Sequence, residues 1–155
     1  MVGSILLGAD ELVSEMVAAR IPHMRGKTFG ACTALGVVRG GYLLGGVVYH
    51  NYTGHDIQAS LAFDRPGWAL PGTLRALFGY PFNDLKVSRM TAIIGRKNKR
   101  SRKLCEGLGF KLEGVHAKGL DGFQDAMTFG LLKENCRWIK DRTHGQINAG
   151  RAAAA

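Results

Sequence analysis

Val87–Phe110 reads VSRMTAIIGRKNKRSRKLCEGLGF, and this stretch decides the architecture. Val87 to Ile94 is a short apolar run that suits a strand covered on both faces, and Gly95 ends it. Beyond Asn98 the pattern changes period, because Ser101, Leu104, Cys105 and Leu108 fall on one stripe of a helix. Gly109 stands where a helix C-terminus takes a left-handed residue, so the helix stops there. This strand closes a strand–helix–strand unit whose helix and first strand lie upstream, and such a unit should be right-handed with its two strands parallel and side by side.

Working toward the N-terminus, Leu70, Leu74, Leu77, Phe78 and Phe82 recur at helical spacing, with Pro71 in the first turn and Pro81 expected to kink or end the helix. Before it, Ile57, Ala59, Leu61 and Phe63 alternate with polar or small residues over His55 to Phe63, as a strand requires. Tyr42–Tyr52 and Phe29–Val38 form a hairpin turning at Arg39-Gly40-Gly41. Asp10 and Glu11 open a helix that Pro22 closes, and Ile5 to Leu7 is a short strand. Toward the C-terminus, Phe110–Ala117 and Gln124–Lys133 read as a second hairpin. The expected fold class is α+β, with a mixed, mostly antiparallel sheet of about seven strands around a central βαβ unit. Residues 1–134 form the domain, and 135–155 a short helix and tail.

The chain has 155 residues, enough for one core without a disulfide or metal staple. Its three cysteines, Cys32, Cys105 and Cys136, match neither a disulfide framework nor a zinc ligand set, so no metal and a reducing, cytoplasmic setting are expected. The longest uncharged stretch, Gly40 to His55, is too short and too rich in Gly and polar residues to span a membrane. A net charge of +9 favours an anionic partner. Six of the eight residues Arg96–Lys103 are basic, at a helix N-terminus where cations oppose the dipole. An anion there would relieve that opposition, while a solvated polar face is the plainer reading. No aromatic residue interrupts the run, so the stacking platform of a single-strand nucleic-acid binder is missing there. Asp64-Arg-Pro-Gly-Trp-Ala69 joins a strand to a helix and reads either as an anion cradle on unpaired N–H groups or as an ordinary capping turn.

The spacing Asn98-x-x-Ser101-x-x-Leu104-x-Glu106-x-Leu108-Gly109-Phe110-x-x-Glu113-Gly114 resembles the signature of the GNAT superfamily of acyl-CoA-dependent N-acetyltransferases. The likeness is to the branch that acetylates ribosomal-protein N-termini, and the run Leu131 to Trp138 is similar to short bacteriophage and prophage members. The resemblance implies acetyl-CoA as cosubstrate, an amine acceptor of unknown identity, and a monomer or homodimer. It implies that the strand carrying Leu61, Ala62 and Phe63 holds the pantetheine arm through its backbone. It implies a pyrophosphate loop at Arg65, Gly67, Trp68 and Ala69, with Asp64 standing where the family has a basic or amide residue and Pro66 removing one amide donor. Asn98, Arg100, Ser101 and Arg102 complete the implied cofactor contacts. For catalysis it implies His55 or Asp56 as the base, with His50 second, and Ser101 or water as the acid. Cys105 occupies the position of the family's acidic Tyr and reads as helix face; His116 has less claim on a role, and His23 and His144 none. The alternative is a non-catalytic module of the same fold that binds CoA or nucleic acid.

Overall fold

A computed structural model describes residues 4–140. The elements run β1 (Ser4–Leu6), α1 (Asp10–Arg20), a 3-10 turn (Pro22–Met24), β2 (Cys32–Arg39), β3 (Tyr42–His50) and β4 (Asp56–Phe63). They continue with α2 (Pro71–Gly79), a π turn (Tyr80–Asp84), β5 (Arg89–Gly95), α3 (Lys99–Leu108), β6 (Lys111–His116) and β7 (Ala126–Leu132). The seven strands form one sheet in the order β1-β2-β3-β4-β5-β7-β6. Every neighbouring pair is antiparallel except β4 and β5, the two strands that flank α2. The expected α+β architecture and element order are therefore observed.

Helix α1 covers one face of the sheet, where Val13 and Val17 pack with Ala34 and Val48. Its close seat depends on Gly46, since a Cβ there would overlap Val13 Cγ1 and stand 2.7 Å from the Leu35 carbonyl oxygen. The other face carries the larger core, in which Leu74, Leu77 and Phe78 of α2 and Cys105 and Leu108 of α3 meet Val47, Ile57, Met90 and Phe129 of the strands. Helix α3 begins at Asn98, whose side chain accepts a hydrogen bond from Ser101 N at 3.2 Å, and ends at Gly109 with φ 108°.

Pro81 changes the end of α2 from a stop into a π turn. Lacking an N–H, Pro81 leaves the Leu77 carbonyl without its helical donor. The buried Tyr49 hydroxyl takes that place, donating to Leu77 O at 2.5 Å. Tyr49→Phe should therefore cost about 1–3 kcal/mol while leaving the fold intact, because a buried acceptor loses its donor. Equilibrium urea unfolding measures this, and a variant as stable as the parent would show that the carbonyl finds another donor.

The chain departs from expectation after β7. Of the range 135–155, expected as a short helix and tail, the described residues up to 140 run through two 3-10 turns, Lys133–Asn135 and Arg137–Ile139, and residues 141–155 lie outside the described residues. The core also runs past Glu134: Cys136 is buried within it, and Trp138 Nε1 donates to Leu108 O at 2.8 Å.

Candidate functional site

Strands β4 and β5 pair over three positions only, Asp56 with Arg89, Ile57 with Met90 and Gln58 with Thr91. From Ala59 and Ala92 onward they have no rung between them, although β4 stays paired to β3 as far as Phe63 and β5 to β7 as far as Gly95. Two facing strand edges are thus left with backbone groups that only a ligand or water can satisfy. The gap opens at the carboxyl ends of the parallel pair, where ligands of such sheets sit.

An inner cavity of about 90 Å³ occupies the apex of the gap, walled by Ala59, Ser60 and Leu61 of β4, Ala92 to Gly95 of β5, and Ser101, Leu104, Cys105 and Leu108 of α3. Ile21 and His23, from the connection after α1, close it on another side. An outer cavity of about 670 Å³ shares Ile21, Leu61, Asn98, Ser101 and Leu104 with the inner one, so the two form one groove. The outer walls add Ala62, Phe63, Asp64, Arg65, Trp68, Lys97, Arg100 and Gln124. The groove is apolar at its apex and cationic at its mouth.

Local sequence explains the wall. Phe63 and Trp68 stack with ring centroids 3.8 Å apart and planes 2° from parallel, which folds the 64–68 loop back on the end of β4. Asp64 lines the mouth, where a site for an anion has no use for a free carboxylate. Arg20 neutralises it through Nε to Oδ1 at 2.5 Å and Nη2 to Oδ2 at 3.0 Å, holding the carboxyl below its usual range. This fork ties the end of α1 to the loop, and Lys97, Arg100 and Arg65 remain to set the sign of the mouth.

Most expected cofactor contacts come together here: Leu61, Ala62, Phe63, Arg65, Trp68, Asn98, Arg100 and Ser101 all line the groove. Three do not. Gly67 (φ 92°) and Ala69 lie outside its walls, and a Cβ on Gly67 would face Arg39 Nη1 at 3.6 Å, toward the β2–β3 turn. Arg102 turns back to donate from Nη1 to the Arg96 carbonyl at 2.8 Å, which closes the loop before α3.

The expected bases are also elsewhere. His55 is exposed in the turn before β4, and its carbonyl accepts from Ser88 N and Arg89 N. Asp56 sits at the paired end of the seam, where both its oxygens accept from Thr91 Oγ1, at 2.8 and 2.9 Å, and Arg89 Nε stands 3.6 Å away. Arg89 also pairs with Glu113 on β6, so this cluster stitches β4, β5 and β6 together. His50 faces the α1 side, with Nε2 3.0 Å from Ser60 Oγ and its ring against Phe29. Sequence reasoning gives His23 no role, yet the structure puts it in the inner wall; His144 lies outside the described residues. The available signal is position, since His23 follows the Pro that closes α1. Cys105 is both core and wall, with its thiol pushed up to about 12 by burial and by Glu106, so it stays protonated at neutral pH.

No family model matches the chain, and no curated protein matches it. Among solved structures, a GNAT-family acetyltransferase from Bacillus anthracis is 25% identical, with TM-score 0.57 over 65% of this chain and 66% of that one. A chimera of the spermidine N-acetyltransferase SpeG from Vibrio cholerae is 14% identical, with TM-score 0.66 over 89% and 99%. The Campylobacter jejuni N-acetyltransferase PseH in complex with acetyl coenzyme A is 17% identical, with TM-score 0.55 over 67% and 70%. The chain thus spans just under two thirds of the B. anthracis structure, and it has the fold of GNAT acetyltransferases.

Proposed function

We propose that this protein is an acetyl-CoA-dependent N-acetyltransferase. The observation that carries the reading is the gap between β4 and β5, which offers two unpaired backbone edges leading from a small apolar apex to a mouth with Arg65, Lys97 and Arg100. A pantetheine arm carries two amides that suit such edges, and a nucleotide diphosphate suits the cations. In this reading Leu61, Ala62 and Phe63 hold the arm by their main chain, while Arg65, Trp68, Asn98, Arg100 and Ser101 bound the nucleotide end. Acetyl-CoA supplies the activated acyl group. A backbone N–H on the free edge of β4 stabilises the charge that develops on the carbonyl oxygen.

A protein or peptide amino terminus is the acceptor we favour, on the Asn98–Gly114 spacing that resembles the ribosomal-protein N-terminal acetyltransferases. Cys105 takes no part as a nucleophile, because its thiol stays protonated far above neutral pH.

Thermal denaturation with acetyl-CoA, paired with an assay of free CoA thiol on hexapeptides with free amino termini, tests the reading. Saturable stabilisation is expected, reaching about 2.7 kcal/mol at a hundred times Kd. Cys105→Ala should keep most of the thiol release. Stabilisation without release would mark a CoA-binding module, and no stabilisation at all would end the assignment.

A further inference from the structure

Only two titratable side chains line the inner cavity among the described residues, His23 and Cys105. Cys105 is held as a neutral thiol, which leaves His23 as the lining group able to exchange a proton near pH 7, whereas His50 reaches the cavity only through Ser60 Oγ, 3.0 Å from its Nε2. His23 is half-buried and rides on the 3-10 turn Pro22–Met24, which Met24 N closes by donating to Ile21 O at 2.9 Å. Ile21 lines both cavities, so this turn forms the wall where the inner and outer parts of the groove join.

We propose that His23 is the proton acceptor of the attacking amine. This rests on the acetyltransferase reading above and names a base for it. The amine nitrogen attacks the thioester carbonyl carbon as the new C–N bond forms. The C–S bond breaks with its electron pair on sulfur, giving the CoA thiolate, and the amine proton passes to a neutral ring nitrogen of His23. The imidazolium then returns that proton to solvent.

The surroundings keep the ring in the form this needs. Burial lowers the imidazole below its ordinary range, and Lys27 on the following loop lowers it further. Asp121, on the β6–β7 connection, pulls the other way. That carboxylate is itself held down, to about 2, by the N–H groups of Gln124 and Phe123 and the Gln124 side chain, so it stays ionised. It also gives the forming imidazolium a counter-charge, and Gln124 beside it lines the outer cavity. The connection after α1 and the β6–β7 connection therefore meet over the acceptor end of the groove.

His23→Gln and His23→Asn are the test, read in three ways. Acetyl-CoA stabilisation should remain saturable, which shows that the groove still forms. Thiol release with hexapeptides should fall about 10²- to 10⁴-fold in kcat/KM, as for loss of a general base. The acid limb that His23 adds to the kcat/KM profile, below the ordinary histidine value of about 6.5 and beneath the limb of the peptide amine itself near about 8, should vanish in both variants and leave the amine limb alone. Activity within twofold of the parent with the limb retained would overturn the assignment of the base while leaving acetyl transfer standing. Independently, the His23 ring proton signal should titrate below 6.5 and shift on adding acetyl-CoA, whereas those of His55 and His116 should not shift. A His23 signal indifferent to acetyl-CoA, in a protein that acetyl-CoA stabilises, would remove the residue from the groove. Failure of the parent to bind acetyl-CoA would instead remove the activity on which this rests.

Discussion

Reversing two charges at the mouth, Lys97→Glu with Arg100→Glu, is expected to raise the Kd for acetyl-CoA at least about 100-fold, or about 2.7 kcal/mol. Both side chains line the outer cavity, and among the described residues no hydrogen bond or ion pair with another side chain engages either of them. Lost attraction and new repulsion then both act on a ligand with several phosphate charges. The same change should leave the free protein slightly more stable, because it puts carboxylates in or beside the first turn of α3, which runs from Lys99 and has no acidic residue there. Acidic groups at that end of a helix gain about 0.3–1 kcal/mol each. Calorimetric titration and urea unfolding of one variant thus move in opposite directions. An unchanged Kd would take the mouth out of cofactor recognition, and a joint loss of binding and stability would mean simple misfolding.

Gly46→Val should destabilise the fold more than Tyr49→Phe does. The new Cβ would lie inside contact distance of Val13 Cγ1 and of the Leu35 carbonyl, and only the first is the end of a movable side chain. Either α1 lifts from the sheet or β2 and β3 part. Overpacking of this kind costs roughly 1–3 kcal/mol and here should reach or exceed the upper figure, because one obstacle is backbone. Against a total of about 5–15 kcal/mol, that is a large share of the stability. Gly72→Ala is the control: nothing stands within 4 Å of its Cβ in the first turn of α2, so stability should hold or rise. Urea midpoints decide, and equal midpoints for the two variants would refute the close seating of α1.

The elements are legible in the sequence because each carries its own local signature. Asn98 and Gly109 bound α3 within one stretch, as cap and left-handed stop. The alternation through Ile57, Ala59, Leu61 and Phe63 likewise marks β4 as a strand with one core-facing side. The groove is legible only along its own strand and loops. Arg20 lies 44 positions from the Asp64 it neutralises, and no periodicity links them. Asp64 therefore reads as a defect in the anion loop, although the folded chain supplies its partner. The place of His55 and Asp56 at the head of β4 suggests catalysis, but strand register puts that head at the closed end of the seam. His23 gives no pattern, since a 3-10 turn of three residues has no periodicity to read.

The short pairing of β4 with β5 divides the sheet into a four-stranded plate and a three-stranded plate that share three rungs. The core beneath spans both, but the rims beyond those rungs behave like an unmortared joint. In the proposed reading, the amides of a pantetheine arm would be the missing course of masonry, tying plate to plate. On the proposed function, resistance to heat is expected to be shared between the sequence and that occupant.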